Sequence, residues 1–211
     1  IGAALAICAP VARPVFDPNR RMPLHYFANA DTYMIHTFTN GGMTLRWFRD
    51  KFCQIEMQAQ ELGLDDAYNM ISKEVSKVPA GSDGLVMLPH LAGSNAPDVN
   101  AKAKGVWFGF TLQHTRAHFM RSVMESLGYI VKRNIDSLAD MGIEVKEIRS
   151  LGGGSKSDVW NQIKSDICQI PLETVNSVEA ASLGAAILAG KATGIFKNLN
   201  EAAESMVQVK K

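Results

Sequence analysis

From residue 106 onward the chain alternates between short β-prone runs and helical runs, and this alternation limits the fold more than any other feature. Residues 106–112 read as a strand. A long helix then fits about 115–141, with Phe119, Val123, Leu127, Ile130 and Val131 on one face. A strand over 145–151, a helix over 155–168, a strand over 172–175 and a helix over 178–189 follow. A last amphipathic helix fits 198–207. The pattern predicts an α/β domain, with a mixed central sheet and helices packed on it.

The first half is compatible with that plan. Residues 1–38 carry aromatic and β-branched runs around a Pro14–Pro18 turn, which predicts a small antiparallel meander. Asn40-Gly41-Gly42 opens a helix whose Leu45, Phe48 and Phe52 recur at helical spacing, fading near 62–63. A second helix over 65–78 starts on acidic residues that suit the helix dipole. Residues 85–88 read as a short buried strand, and 89–104 as a loop. With no linker or repeat in sight, 1–211 reads as one domain. An apolar fraction of 46% is enough for a sizeable core.

Charge narrows the partners. A formal net charge of +1 argues against a dedicated nucleic-acid or anionic-membrane surface. The apolar run at 1–11 is broken by Pro10 and is too short to span a membrane. Cys8, Cys53 and Cys168 fit neither a disulfide framework nor a CxxC metal site, and read as reduced thiols of a cytoplasmic protein. Opening on Ile-Gly-Ala-Ala without Met, the chain reads as a piece of something longer.

The segment Arg149-Ser-Leu-Gly152-Gly153-Gly154-Ser-Lys-Ser-Asp-Val-Trp160 carries the most chemistry. Three glycines between a strand and a helix let a ligand approach the backbone, and the helix N-terminus beyond favours negative charge. The run matches neither the P-loop nor the dinucleotide fingerprint. By itself such a turn serves equally as a tight connection. Two neighbours strengthen the ligand reading: the helix opened by Gly41-Gly42, and the small-residue helix Glu179-Ala-Ala-Ser-Leu-Gly-Ala-Ala186. Together they suit a nucleotide cleft.

These motifs resemble the FGGY family of carbohydrate kinases. Residues 151–160, followed by Asp166, Pro171 and 179–186, are similar to its adenosine-binding region. Gly105-Val-Trp-Phe-Gly109 with His118-Phe-Met-Arg-Ser-Val-Met-Glu125 resembles its second signature, and 40–47 and 88–93 match in order and spacing. The likeness covers essentially the whole chain and is strongest to the xylulokinase branch, with gluconate-kinase-like features at 13–17.

The resemblance implies an actin-like, ribonuclease H-like domain. It also implies transfer of the γ-phosphoryl group of ATP, with Mg²⁺, to a sugar hydroxyl. The partners would be the sugar, ATP and the chain's own N-terminal domain, with a homodimer open. Gly153 and Gly154 would contact adenosine through their backbone, Gly152 belongs to the same turn, and Ser157 stands where relatives often have Asn. Gly42 would let a helix N-terminus approach the phosphates. The catalytic Asp would lie upstream of Ile1, which leaves this chain with none. The chain departs from the family at Gly93-Ser-Asn-Ala-Pro97, which lacks the usual Glu and Arg and puts that loop's ion pairing in doubt; Lys104 replaces a common Arg.

Other residues carry blander readings. His114 and His118 are four apart but lack a third ligand, so no metal site is expected. Glu125 reads as a structural partner for a backbone or basic group. Trp47, Trp107 and Trp160 read as core, with Trp160 near enough to the glycines to shape a pocket.

Overall fold

The computed structural model describes residues 2–177 and 179–210. Ile1, Val178 and Lys211 lie outside them, and with Val178 the start of the helix expected over 178–189. Three strands come first, β1 (Ala4–Val11), β2 (Leu24–Tyr26) and β3 (Tyr33–Asn40). Helices α1 (Gly42–Phe52), α2 (Gln54–Glu61) and α3 (Ala67–Val75) follow, then strands β4 (Val86–Leu88) and β5 (Val106–Phe108). The long helix α4 (Arg116–Asp140) leads to β6 (Ile148–Ser150), α5 (Asp158–Cys168) and β7 (Leu172–Val175). Helices α6 (Ala180–Ala192) and α7 (Leu199–Met206) and strand β8 (Val209–Lys210) complete the described chain.

The first strands do not form a meander. Their order is β1-β3-β2, with β3 antiparallel to both neighbours. A meander needs tight turns, whereas residues 12–23 cross from one side of β3 to the other. That crossing is shaped by Asp17, whose carboxylate accepts hydrogen bonds from the Asn19 and Arg21 amides and from the Arg21 guanidinium. The Arg21 hydrogen bond holds the Asp17 carboxyl down at about 2.

The mixed strand sense expected of the domain is carried by the last three strands: β6 and β7 are parallel, and β8 is antiparallel to β7. Among the described residues the strands fall into three hydrogen-bonded groups, the third being β4-β5, rather than one continuous ladder. Side chains join the first and last groups. Leu5 and Ile7 of β1 pack with Ile148 of β6, over Val131, Cys168 and Ile170.

Two local expectations also change. The helix expected over 42–62 breaks at Cys53, which is fully buried with φ −120° and ψ 45°. Its N–H closes α1 on Arg49 O, and its own carbonyl accepts from Met57 to start α2. The 85–88 strand is buried on one face only: Met87 points into the core while Val86 and Leu88 face outward.

Helix α4 is the spine of the domain, and its 25 residues span about 37 Å. Met120, Val123, Met124 and Leu127 pack with Leu45, Phe48, Ile71, Val75, Trp160 and Ile163 of α1, α3 and α5. Val131 then enters the cluster beneath β1 and β6, and Leu138 the cluster with Met22 and Ile35 beneath the first sheet. At Gly128 helix α5 comes so close that an added Cβ would lie 2.7 Å from Ile167 Cδ1.

A second stripe on the same side of the chain is polar. The Arg121 guanidinium donates to Glu125 Oε1 at 2.7 Å and to the Val78 carbonyl at 2.9 Å, just beyond the end of α3. Glu125 also accepts from Gly81 N at 2.9 Å and Ser82 Oγ at 2.8 Å. His118 accepts from Thr115 N through Nδ1, and its Nε2 lies 3.1 Å from Asp83 Oδ2; His114 Nε2 lies 3.2 Å from Asp83 O. These groups hold Ser82 and Asp83 at φ 49° and 51°, where side chains are disfavoured. Glu125 is therefore the structural partner its sequence context suggested. The loop at 93–97, where the resemblance leads one to expect a charged pair, is tied down nearby by a two-pronged Asp98–Arg133 ion pair.

Removing the Glu125 carboxylate strands a buried guanidinium and two donors. Glu125→Ala should lose about 3–5 kcal/mol in urea unfolding, and Glu125→Gln distinctly less. Equal, small losses would show that the 79–84 turn holds itself.

Candidate functional site

One cleft, with a cavity volume of about 540 Å³, opens between the starts of β1, α1, α3 and α5. Gly42 and, from a distant part of the sequence, Gly153, Gly154 and Ser157 all line it. Gly152 does not. It adopts φ 78° and ψ −174° and turns the chain from β6 into the short 3-10 segment Gly153–Lys156. A larger groove of about 650 Å³, lined among others by Phe16, Asp17, His25, His36 and Phe38, shares no residue with the cleft and contains none of the expected site residues.

The α1 wall is built by a close approach. A Cβ on Gly41 would lie 2.4 Å from Leu5 N, so only glycine lets the helix start meet β1. In return the first amides of α1 are engaged: Gly41 and Met43 N–H donate to Ala3 O, and Gly42 N–H to Gly2 O. Gly42 thus gives the cleft room rather than a free amide. Ser157 is likewise committed. Its hydroxyl caps α5 by accepting from Trp160 N at 3.2 Å and lies 3.0 Å from Ser72 Oγ of α3.

The wall opposite the glycine turn differs from the one expected. Helix α6 does not line the cleft; it packs with α7, and Gly190 abuts the Phe196 ring. The wall comes instead from Asp66, Tyr68, Asn69 and Ser72 of α3. Asp66 caps that helix, accepting from Tyr68 and Asn69 N–H. Nothing in the α3 sequence marks it as more than an amphipathic helix. Leu45, Met124 and Trp160 form an apolar floor.

Arg46 and Lys156 add two cations to the lining, and neither has a hydrogen-bond or ion-pair partner among the described residues. Arg46 follows Gly42 by one helical turn, a spacing that could have singled it out. A flat apolar floor, open backbone at Gly153 and two unpaired cations suit a ligand with an aromatic ring and an anionic tail. Among the described residues no cluster of three or more His, Cys, Asp or Glu is placed to hold a metal ion.

Behind the glycine turn lies a group that sequence reading missed. Lys164 is 3% exposed, and no carboxylate among the described residues pairs with it. Its Nζ donates to Ser150 Oγ at 2.9 Å and Asn161 Oδ1 at 3.0 Å, and sits 5.3 Å from the Trp160 ring centre. Burial pushes its amine down to about 8. Trp160 itself is locked by its indole N–H, which donates to Met124 O of α4 at 3.2 Å.

The fold is that of the actin-like α/β class. The structure aligns over 100% of its length with the ligand-bound xylulose kinase from Lactobacillus acidophilus, at a TM-score of 0.84 and 27% identity, covering 41% of that chain. In sequence it is 35% identical over 196 residues to a gluconokinase of Bacillus subtilis, and 33% identical over 189 residues to a xylulose kinase of Staphylococcus epidermidis. Those alignments cover 92% and 88% of this chain but 38% and 36% of the relatives, so the chain spans less than half their length. Residues 8–193 match the FGGY family of carbohydrate kinases, C-terminal domain, and the chain belongs to that family.

The buried amine has a measurable consequence. Its folded value of about 8 lies below the ordinary 10.5, so the unfolded chain binds more protons between those limits. Stability is therefore lowest, for this group, below about pH 8 and rises through that window, by about 3 kcal/mol in all. Urea unfolding of wild type against Lys164→Met at about pH 7 and pH 10 should show the difference moving in the wild type's favour at the higher pH. A constant difference would mean that the amine is not buried as a charge.

Proposed function

We propose that this chain is the nucleotide-binding lobe of an ATP-dependent sugar kinase, acting on a hydroxyl of a ketose such as xylulose. The observation that carries the reading is the convergence of Gly42, Gly153, Gly154 and Ser157 on one cleft. The base would lie on the Trp160–Met124 floor against the backbone of Gly153 and Gly154. Its phosphates would extend toward Gly42, within reach of Arg46 and Lys156. Bound ATP supplies the γ-phosphoryl group, and the lobe's part is to position and neutralise it. Mg²⁺ would ride on the phosphates and on residues beyond this chain. The proton-accepting Asp, most sugar contacts and the closing half of the cleft belong to the N-terminal domain. Membership of a family of sugar kinases also supports a cytoplasmic location.

Gluconate is the second acceptor to consider, favoured by the 35% identity to the Bacillus subtilis gluconokinase. Joined to its N-terminal domain, the protein should phosphorylate xylulose in preference to gluconate in a coupled ADP-release assay. The reverse preference would move the chain to the gluconate branch; turnover of neither would point to ribulose or glycerol as acceptor, and turnover of none of the four to a non-catalytic nucleotide-binding module.

Nucleotide binding can be tested in the chain itself. An added Cβ at Gly153 meets no atom within 4 Å, so a side chain there fills the cleft without disturbing the fold. Gly153→Val should weaken ATP binding by at least about tenfold in calorimetry, roughly 1.4 kcal/mol, with the thermal midpoint unchanged. Unaltered affinity would place the nucleotide elsewhere.

A further inference from the structure

We infer that Lys164 is a positioning residue for nucleotide binding, fixing both ends of the glycine turn from behind and so setting the wall against which the base lies. The inference rests on the nucleotide reading of the cleft. Glycines 152–154 have no side chains with which to hold their own conformation, and glycine backbone is the least restrained of any residue. The restraint must come from the flanks.

Ser150 is the last residue of β6, immediately before the turn, and its hydroxyl accepts from Lys164 Nζ. On the far side Asn161 accepts from the same Nζ through Oδ1, while its Nδ2 donates to Ser155 O at 2.8 Å. Ser155 closes the circuit, its N–H and hydroxyl both donating to Gly152 O, at 3.0 and 2.7 Å. One ammonium therefore ties the strand end, the first turn of α5 and, through Asn161 and Ser155, the turn itself. The same Nζ lies 5.3 Å from the ring centre of Trp160, part of the cleft floor.

The residue type argues for a purpose beyond packing. A position this deep between α5 and β6 is more cheaply filled by Leu or Met, since a buried amine without a carboxylate is costly. An ammonium offers three donors at the end of a long arm, and here two reach acceptors on opposite sides of the turn. An aliphatic side chain would fill the space and hold neither.

The test uses the chain joined to its N-terminal domain, with ATP as the probe, read by calorimetry and by the amide resonances of Gly153 and Gly154. Lys164→Met should weaken ATP binding by about tenfold and displace both glycine amides, with the thermal midpoint at neutral pH not reduced. Asn161→Ala should do the same, and the double variant should be no worse than either single one, because both break one circuit. Ser150→Ala, a milder change that keeps the fold if Lys164→Met does not, should move the same amides by less. Unchanged ATP affinity with unmoved amides in Lys164→Met would overturn the inference, as would additive losses in the double variant. If wild type binds no ATP, the nucleotide reading fails separately. The glycine amides of the ligand-free variants then decide whether Lys164 positions the turn: displaced amides support it, and unmoved ones overturn it.

Discussion

Everything in this domain is referred to α4, and α4 works because it satisfies two kinds of demand at once. Its apolar residues enter three successive core clusters, so one rigid rod sets the spacing of α1, α3 and α5 at one end and of the first sheet at the other. Its polar stripe, His118, Arg121 and Glu125, holds the chain where α3 ends and the strained Ser82–Asp83 turn begins. A buried ion pair is a poor source of net stability, because desolvation offsets most of the attraction. Its value here is directional: Arg121 and Glu125 bond to particular carbonyls and amides, and so define where α3 stops. The α3 wall of the cleft inherits that placement.

What could be read from sequence follows how local each feature is. The glycine turn and the long helix are encoded in neighbouring residues and appear where expected, as does the strand–helix alternation, although the strands expected over 106–112 and 145–151 shorten to 106–108 and 148–150. Gly42, Gly153 and Gly154 are legible as site candidates for the same reason, since they open or precede helices, whereas Ser157 is a candidate only through the family resemblance. The order β1-β3-β2 was not, because it depends on the path of residues 12–23, and that path is set by one carboxylate folding back on Arg21. His114 and His118 lack a third ligand in sequence, but that they meet on Asp83 of the 82–84 turn is visible only in space.

The harder misses share a cause. The α3 wall and Lys164 are functional candidates only through what lies across from them in space. Tyr68 and Asn69 look like ordinary surface residues of an amphipathic helix until α5 is placed opposite. Lys164 falls between Trp160 and Cys168 on the buried face of α5, and what satisfies its amine there is visible only once Ser150 and Asn161 surround it. Conversely, the small-residue run at 179–186 does not line the cleft: an added Cβ on Gly184 would meet no atom within 4 Å, and the close contact of α6 comes later, at Gly190 against Phe196.

A glycine-rich segment is usually pictured as a loose strap that tightens when its ligand arrives. Here the strap is already taut. Strand β6 anchors one end, the Ser157 cap of α5 the other, and Ser155 folds back on Gly152 between them. A ligand arriving at such a surface orders little that was not ordered before, so it loses less conformational entropy on docking. The glycines then act as bare, rigid masonry whose lack of side chains brings the backbone within reach.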